Sequence, residues 1–465
     1  MIERLWLHPP LAIARLGPSP APCDNYRWGP SDLTPRGTGK TTVVPEETLD
    51  VAADGTITRR TPDEVRFKDE HGFRPVAPFF ELFGTWKAGG TTRTGPVTPE
   101  VLRESGITLG DVRWVVRVAN LKAFQYTQRA GDRVEARVEV AGDDHTRHAV
   151  PGRAPQGAPD PLVPPDAMLP LGSVQAPRPD TELAGLRLRF TPAAGLVYGP
   201  TDLAARTSLY RLPAGQLILN PAAAWCGFSL EGEDPRTNPG GLFAGAEENE
   251  SLGLVDDVCD GLVSFVLPGG HSATARIVVG PPHFAPDRRP FVSLADGLTD
   301  RVRRGDVREP AYLADREQTA LEVRDLLERV LETMDAINLD VQNERSGLEN
   351  GATARARGLP PEAARDQAFP PPEPLTSLTL PLTGHARQRH RRFVALEVLE
   401  DLLRERPDLL RQVIREPATH ERFYDRRMPV AMRGSDRYPL HLTRRQYDLI
   451  LGWARSLRDG TAGGT

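Results

Sequence analysis

Nine prolines lie between residues 151 and 180. Proline locks φ and lacks a backbone N–H, so a stretch this dense in it forms neither a helix nor a central strand. We therefore read 151–180 as a proline-rich linker between two folded parts. The rest of the chain shares the tendency. With 45 prolines and 42 glycines in 465 residues, turns and short elements are favoured over long helices.

On both sides of the break the pattern is that of strands. Val134, Ala136, Val138 and Val140 alternate with Arg133, Glu135, Arg137 and Glu139. That is the period of a half-buried strand. Val112, Trp114, Val116 and Val118 repeat it upstream, and the turn Ala130-Gly131-Asp132 leads into the later strand. Further strands are predicted at 186–190, 216–220, 262–267 and 275–279.

The last third reads as helical. Val323, Leu326, Leu327, Val330, Leu331, Met334 and Ile337 recur at spacings of three and four, opposite a charged face. This predicts an amphipathic helix starting near Ala314 that packs on a core. Helices are also expected over 391–406, after Pro407, and from Thr443. There Thr443 and Gln446 have the spacing of a capping box ahead of Tyr447, Leu449, Ile450 and Trp453. The expected fold class is α+β, β-rich over the N-terminal two-thirds with a helical C-terminal third. The expected division is a β-rich domain at 1–150, the linker at 151–180 and a second β-rich domain at 181–310. An amphipathic helix at 311–345, a flexible linker at 346–378 and a helical region at 379–465 complete it.

Composition excludes some functions. Lys+Arg 58 against Asp+Glu 63 gives a net charge of −5. With no basic excess to displace counterions from phosphates, nucleic-acid binding is not expected. No apolar run approaches the roughly 20 residues of a membrane span. The opening MIERLWLHPPLAIARLG lacks the basic head and cleavage site of a secretory signal, so a cytoplasmic location is expected. Three distant cysteines, Cys23, Cys226 and Cys259, rule out a disulfide scaffold and a four-cysteine zinc site. Only Lys40, Lys68, Lys87 and Lys122 are lysines; the other basic residues are Arg. They show no clustering, which suits codon bias better than anion recognition.

Few motifs carry chemistry. Gly37-Thr-Gly-Lys-Thr-Thr42 looks like a phosphate loop, but Thr34 stands where the first glycine belongs and Pro45 blocks the following helix. Asp256-Asp-Val-Cys-Asp-Gly261 is the densest acidic cluster. It lacks the later ligands of a calcium loop and reads as a turn into a strand, with Asp side chains capping backbone donors. His145 and His148 read as solvated turn residues. His385 and His390 lie in an arginine-rich patch. Trp225-Cys226 reads as a buried pair.

Several segments together resemble a known family. Leu7 to Gly17, followed by Pro18 and Pro20, is similar to the "IHPxIGIARVGNSP" opening of the quinoprotein amino-acid oxidases. These are the L-lysine ε-oxidase and glycine oxidase enzymes. Phe67 to Ala77 resembles "FKDxxGxxxRQAARF", and Trp114 to Ala123 resembles "WxVxxANxKA". Arg211 to Leu219 is similar to "TDxxGRLxVL", Asp256 to Val263 to "DDxSDGPV", and Pro281 to Pro286 to "PPDFAP". Arg427 to Val430 and Leu442 to Ala454 are similar to the "MPxLxGD … LTxTQYxxLxxWA" segment.

The resemblance implies oxidative deamination of an amino acid or peptide with release of peroxide. The cofactor would be cysteine tryptophylquinone, which supplies the electrophile that no ordinary side chain offers. The family's cofactor Cys and Trp lie in stretches resembling "LExCVGGxFYPG" and "PWQADF", which have no counterpart here. The expectation is accordingly a cofactor-less scaffold, or one part of a split oxidase whose second chain carries Cys and Trp. A flavoprotein maturation partner and a homo-oligomer are further expectations. The alternatives are an atypical cofactor built from Cys226 or Cys259 and a nearby Trp such as Trp225, and a binding protein of a biosynthetic cluster without redox activity. Candidate catalytic residues are Asp256, Asp257, Asp260 and His283.

Overall fold

The computed structural model describes residues 2–31, 41–208, 210–229, 250–282, 289–335, 401, 403–417 and 441–459. The chain divides into two compact units. The first comprises 1–27, 44–235 and 240–284; the second comprises 28–43, 236–239 and 285–465. Strands dominate the first and helices the second, as an α+β chain requires.

Two sheets build the first unit. One runs in the order Ile2–His8, Phe79–Ala88, Arg187–Thr191, Leu169–Gln175 and His148–Gly152, with Thr91–Pro96 also paired to Phe79–Ala88. The other runs Val134–Ala141, Arg113–Asn120, Asp260–Val266, Ser272–Gly280 and Leu11–Arg15. Its pairs are antiparallel except the last, which is parallel. The predicted alternation is what fills the core. Trp114, Val116, Val118, Val134, Ala136, Val263, Phe265, Ala275 and Ile277 of one sheet are buried in one cluster with Leu7, Phe80, Leu82, Leu171, Leu188 and Phe190 of the other. Trp114 meets Phe265 edge to face at 4.8 Å.

The expected division into domains at 1–150 and 181–310 is corrected. Phe79–Ala88 pairs with Arg187–Thr191, and Arg113–Asn120 with Asp260–Val266, so both parts share both sheets. The proline-rich stretch is not a linker either, because it supplies Leu169–Gln175 and the end of His148–Gly152. Two of its prolines, Pro151 and Pro170, sit where no donor is needed. His148–Gly152 is an edge strand, and Pro151 lies opposite Pro170 beside an irregularity in register. Leu169–Gln175 pairs with Arg187–Thr191 only through Ser173, Val174 and Gln175, so Pro170 falls outside that ladder.

In the second unit the predicted amphipathic helix is Arg316–Asp335. Val323, Leu326, Leu327 and Val330 pack with Leu409, Leu410, Ile414, Tyr447, Ile450 and Trp453 in a separate core. The capping box forms as predicted. Thr443 N–H donates to Gln446 Oε1 at 2.9 Å and Gln446 N–H to Thr443 Oγ1 at 3.1 Å, opening the helix Arg444–Asp459. No helix among the described residues is long and apolar enough to cross a membrane. The expected linker at 346–378 and the patch around His385 and His390 lie outside the described residues, as does most of the helix expected over 391–406. So does most of the glycine loop at 37–42, of which Thr41 and Thr42 begin the strand Thr41–Pro45.

Candidate functional site

The acidic cluster lies in the first unit, between the short strand Val255–Asp256 and the strand Asp260–Val266. Its three carboxylates do different things. Asp256 is half-buried and paired with Lys122 Nζ. Asn120 Nδ2 donates to the Asp256 backbone carbonyl at 2.8 Å and to its Oδ1 at 3.3 Å. Asn120 ends the strand Arg113–Asn120 and Lys122 lies two residues on; the register of that strand against Asp260–Val266 brings Ala119 opposite Asp260. Two segments that resemble family motifs from opposite halves of the chain, 119–123 and 256–261, thus meet in space.

Asp257 points inward and is 1% exposed. Its Oδ2 accepts the N–H groups of Gly195 at 3.1 Å and Leu196 at 2.9 Å, and its own N–H donates to the Leu196 carbonyl at 3.2 Å. Its Oδ1 is buried without a hydrogen-bond partner. Burial raises its pKa to about 6, with the neighbouring Asp256 charge adding to the shift against the two N–H donors. Asp260 faces solvent, and its Oδ1 accepts Val279 N–H at 3.3 Å. His283 lies outside the described residues.

Trp225 and Cys226 lie beside the segment leading into the cluster, with Cys226 paired to Leu252. Trp225 is 1% exposed and its indole Nε1 donates to the Leu254 carbonyl at 3.0 Å. The ring stacks on Phe228 at 6.1 Å and lies 5.9 Å from Tyr126. Cys226 is only half-buried, so the expectation of a fully buried pair holds for Trp225 alone. The Cys226 thiol donates to the Asn220 carbonyl at 3.3 Å, and burial pushes its pKa up to about 11. The Cys259 thiol is buried, donates to the Leu171 carbonyl at 3.5 Å, and is shifted further in the same direction.

Sequence reasoning missed Asp132. It is 1% exposed, and accepts Thr127 Oγ1 at 2.6 Å and Trp225 N–H at 3.3 Å. Burial raises its pKa as well. The signal was the turn Ala130-Gly131-Asp132, whose glycine is required because a Cβ there would lie 2.5 Å from the Pro159 carbonyl. The expectation that His145 and His148 are solvated is also corrected. Both are half-buried; His145 Nδ1 lies 3.0 Å from the Ala176 carbonyl and His148 Nε2 lies 2.9 Å from Asp144 Oδ2.

The cofactor implied by the resemblance needs a cysteine sulfur bonded to a tryptophan ring. The described candidates for it, Trp225, Cys226 and Cys259, are engaged otherwise. The Trp225 ring is enclosed by Phe228 and Tyr126, while the thiols of Cys226 and Cys259 are turned to backbone carbonyls and held protonated by burial. Among the described residues no group of three or more His, Cys, Asp or Glu could hold a metal ion. Asp256, Asp257 and Asp132 each tie a loop to a strand or turn far away in sequence. Iodoacetamide at about pH 8 is expected to leave Cys226 and Cys259 unlabelled in the native chain and to label both in denaturant. Native labelling at the rate of a free thiol would show that these sulfurs are not held this way.

No family model matches this chain, and no curated protein matches it. Among solved structures it is similar to L-Lys epsilon-oxidase from Marinomonas mediterranea. One such structure, described as a Schiff base intermediate with L-Lys, is 17% identical with a TM-score of 0.34, covering 64% of this chain and 38% of its own. Another structure of that oxidase is 18% identical with a TM-score of 0.36, covering 65% of this chain and 40% of its own. The chain thus spans less than half the length of the oxidase structures it is similar to, and a likeness of this degree carries no argument about activity.

Proposed function

We propose that this chain is a binding or scaffolding protein related to the quinoprotein amino-acid oxidases, without oxidase activity of its own. One observation carries the reading: the described candidate residues are engaged with backbone groups or with a side-chain partner. Asp257 holds the turn at Gly195 and Leu196, Asp256 is neutralised by Lys122, and the Cys226 and Cys259 thiols donate to carbonyls. The meeting of segments 119–123 and 256–261 supports the family resemblance independently of any activity, since residues that pack together are constrained together. On this reading an amino acid or peptide is oxidised only if a second chain supplies the Cys and Trp of the quinone, matured by a flavoprotein.

The test is the intact mass of the protein purified from its native host, followed by a peroxide assay with amino acids. An unmodified mass and no peroxide are expected from this chain alone. A mass with added oxygen and lost hydrogen, together with peroxide release, would overturn the proposal and identify a self-sufficient quinoprotein. Peroxide that appears only when a second chain co-purifies would identify the split oxidase.

A further inference from the structure

The first sheet of the first unit carries a feature that plays no part in that reading. Arg189, on the strand Arg187–Thr191, is 6% exposed. Its Nε is buried without a hydrogen-bond partner, and among the described residues no carboxylate pairs with it. Its guanidinium lies over the Phe79 ring, 5.2 Å from the centroid. Arg187, two residues away on the same face, shows the usual solution, since its guanidinium donates to Glu81 at 2.5 Å.

Opposite Arg189, on the strand Leu169–Gln175, stands Gln175. Directly opposed residues of an antiparallel pair project from the same face and are close neighbours. Gln175 is 2% exposed. Its Nε2 donates to the carbonyls of Ala52 at 2.8 Å and His145 at 2.9 Å. Those two acceptors fix which end of the amide is nitrogen, because an oxygen there would face two carbonyls. The Gln175 Oε1 is then left buried with no donor. So a cation without a paired anion and a buried acceptor without a donor belong to directly opposed residues on one face of the sheet. A buried unpaired charge and a buried unpaired acceptor are each unfavourable, and a folded protein rarely keeps either without a partner.

The surroundings favour an anion as that partner. Burial and then the nearby charge of Arg147 press the Arg189 pKa down to about 10, so the group is still charged at neutral pH and carries excess positive potential around it. Asp50 acts in the opposite sense, but its carboxylate is already bonded to Arg60 Nε at 2.5 Å. Arg147 itself is exposed. The ligand must offer oxygen acceptors to the guanidinium and one O–H to Gln175 Oε1. Chloride and sulfate offer no proton at neutral pH.

We propose that Arg189 and Gln175, with the nearby charge of Arg147, bind an oxyanion that carries one O–H, of the hydrogen phosphate class. The proposal does not depend on the functional reading above. The test is titration calorimetry of the full chain with inorganic phosphate near pH 7, against sulfate at matched ionic strength. Phosphate is expected to bind at least about tenfold more tightly than sulfate, because sulfate leaves the Gln175 oxygen unpaired. Arg189→Met is expected to weaken phosphate binding by about tenfold or more while the far-ultraviolet circular dichroism stays unchanged. Arg147→Gln, at an exposed position that the fold tolerates, is expected to weaken it by roughly threefold and provides the reading if Arg189→Met does not fold. Absence of phosphate binding, equal affinity for sulfate, or undiminished binding in the variants would overturn the proposal.

Discussion

Gly261→Ala is expected to destabilise the first unit by at least about 3 kcal/mol, the range of substitutions that force backbone apart in a packed sheet. Gly261 lies opposite Val118 on one side and Ile277 on the other, in the middle of the second sheet. A Cβ built there falls 2.0 Å from the Arg117 carbonyl oxygen and 2.7 Å from Val118 Cα. Both are backbone atoms, so no rotamer change relieves the overlap. Gly215→Ala serves as the control, since nothing lies within 4 Å of a Cβ at that position. It is expected to shift stability by less than about 0.5 kcal/mol. Urea unfolding reads both, the first by a lower midpoint with an unchanged slope. Equal midpoints for the two variants would mean that the strands do not approach as closely as described.

The second expected result concerns pH. Asp257 has a folded pKa of about 6 against 3.8 for an ordinary aspartate. The folded chain therefore holds this proton more tightly than the unfolded chain does. Its contribution to stability is fully present below about pH 4, declines as pH rises through the interval to about 6, and is lost above it. The shift corresponds to about 3 kcal/mol. Asp257→Asn keeps an oxygen for the Gly195 and Leu196 N–H groups and removes the charge. The variant and the wild type are expected to be of similar stability near pH 4, with the variant ahead by about 2–3 kcal/mol near pH 7. The difference between the two curves is the quantity to follow. Carboxylates with lowered pKa values, such as Asp24 between Arg60 and Arg74, tilt both curves the other way. A difference that does not change with pH would mean that Asp257 is ionised without penalty and is not buried as described.

Much of the local structure was legible from spacing. The alternation at 134–140 and 112–118 became paired strands in one sheet, and the three-four spacing from Val323 became a buried helix face. Thr443 and Gln446 bonded each other because a capping box involves residues only three apart. The proline-rich stretch misled because proline content reports a missing donor, not whether a donor is needed. At an edge strand, or beyond the end of a ladder, none is.

The candidate site was legible only in part. The acidic cluster could be picked out by density, but not the role of each carboxylate. Asp256 and Asp257 are neighbours in sequence, yet one faces Lys122 and the other the turn at Gly195. Asp132 carried no signal beyond a glycine turn, because its partner Trp225 lies 93 residues away.

What the sequence determined by itself was the period of each element, its caps and the α+β class, since these depend on residues within a turn or two of one another. Which strands share a sheet, which carboxylate is buried and which buried cation lacks an anion were decided by tertiary structure alone. Burial and pairing depend on what packs from distant parts of the chain, and a carboxylate's pKa follows the solvent and charges that this packing leaves around it.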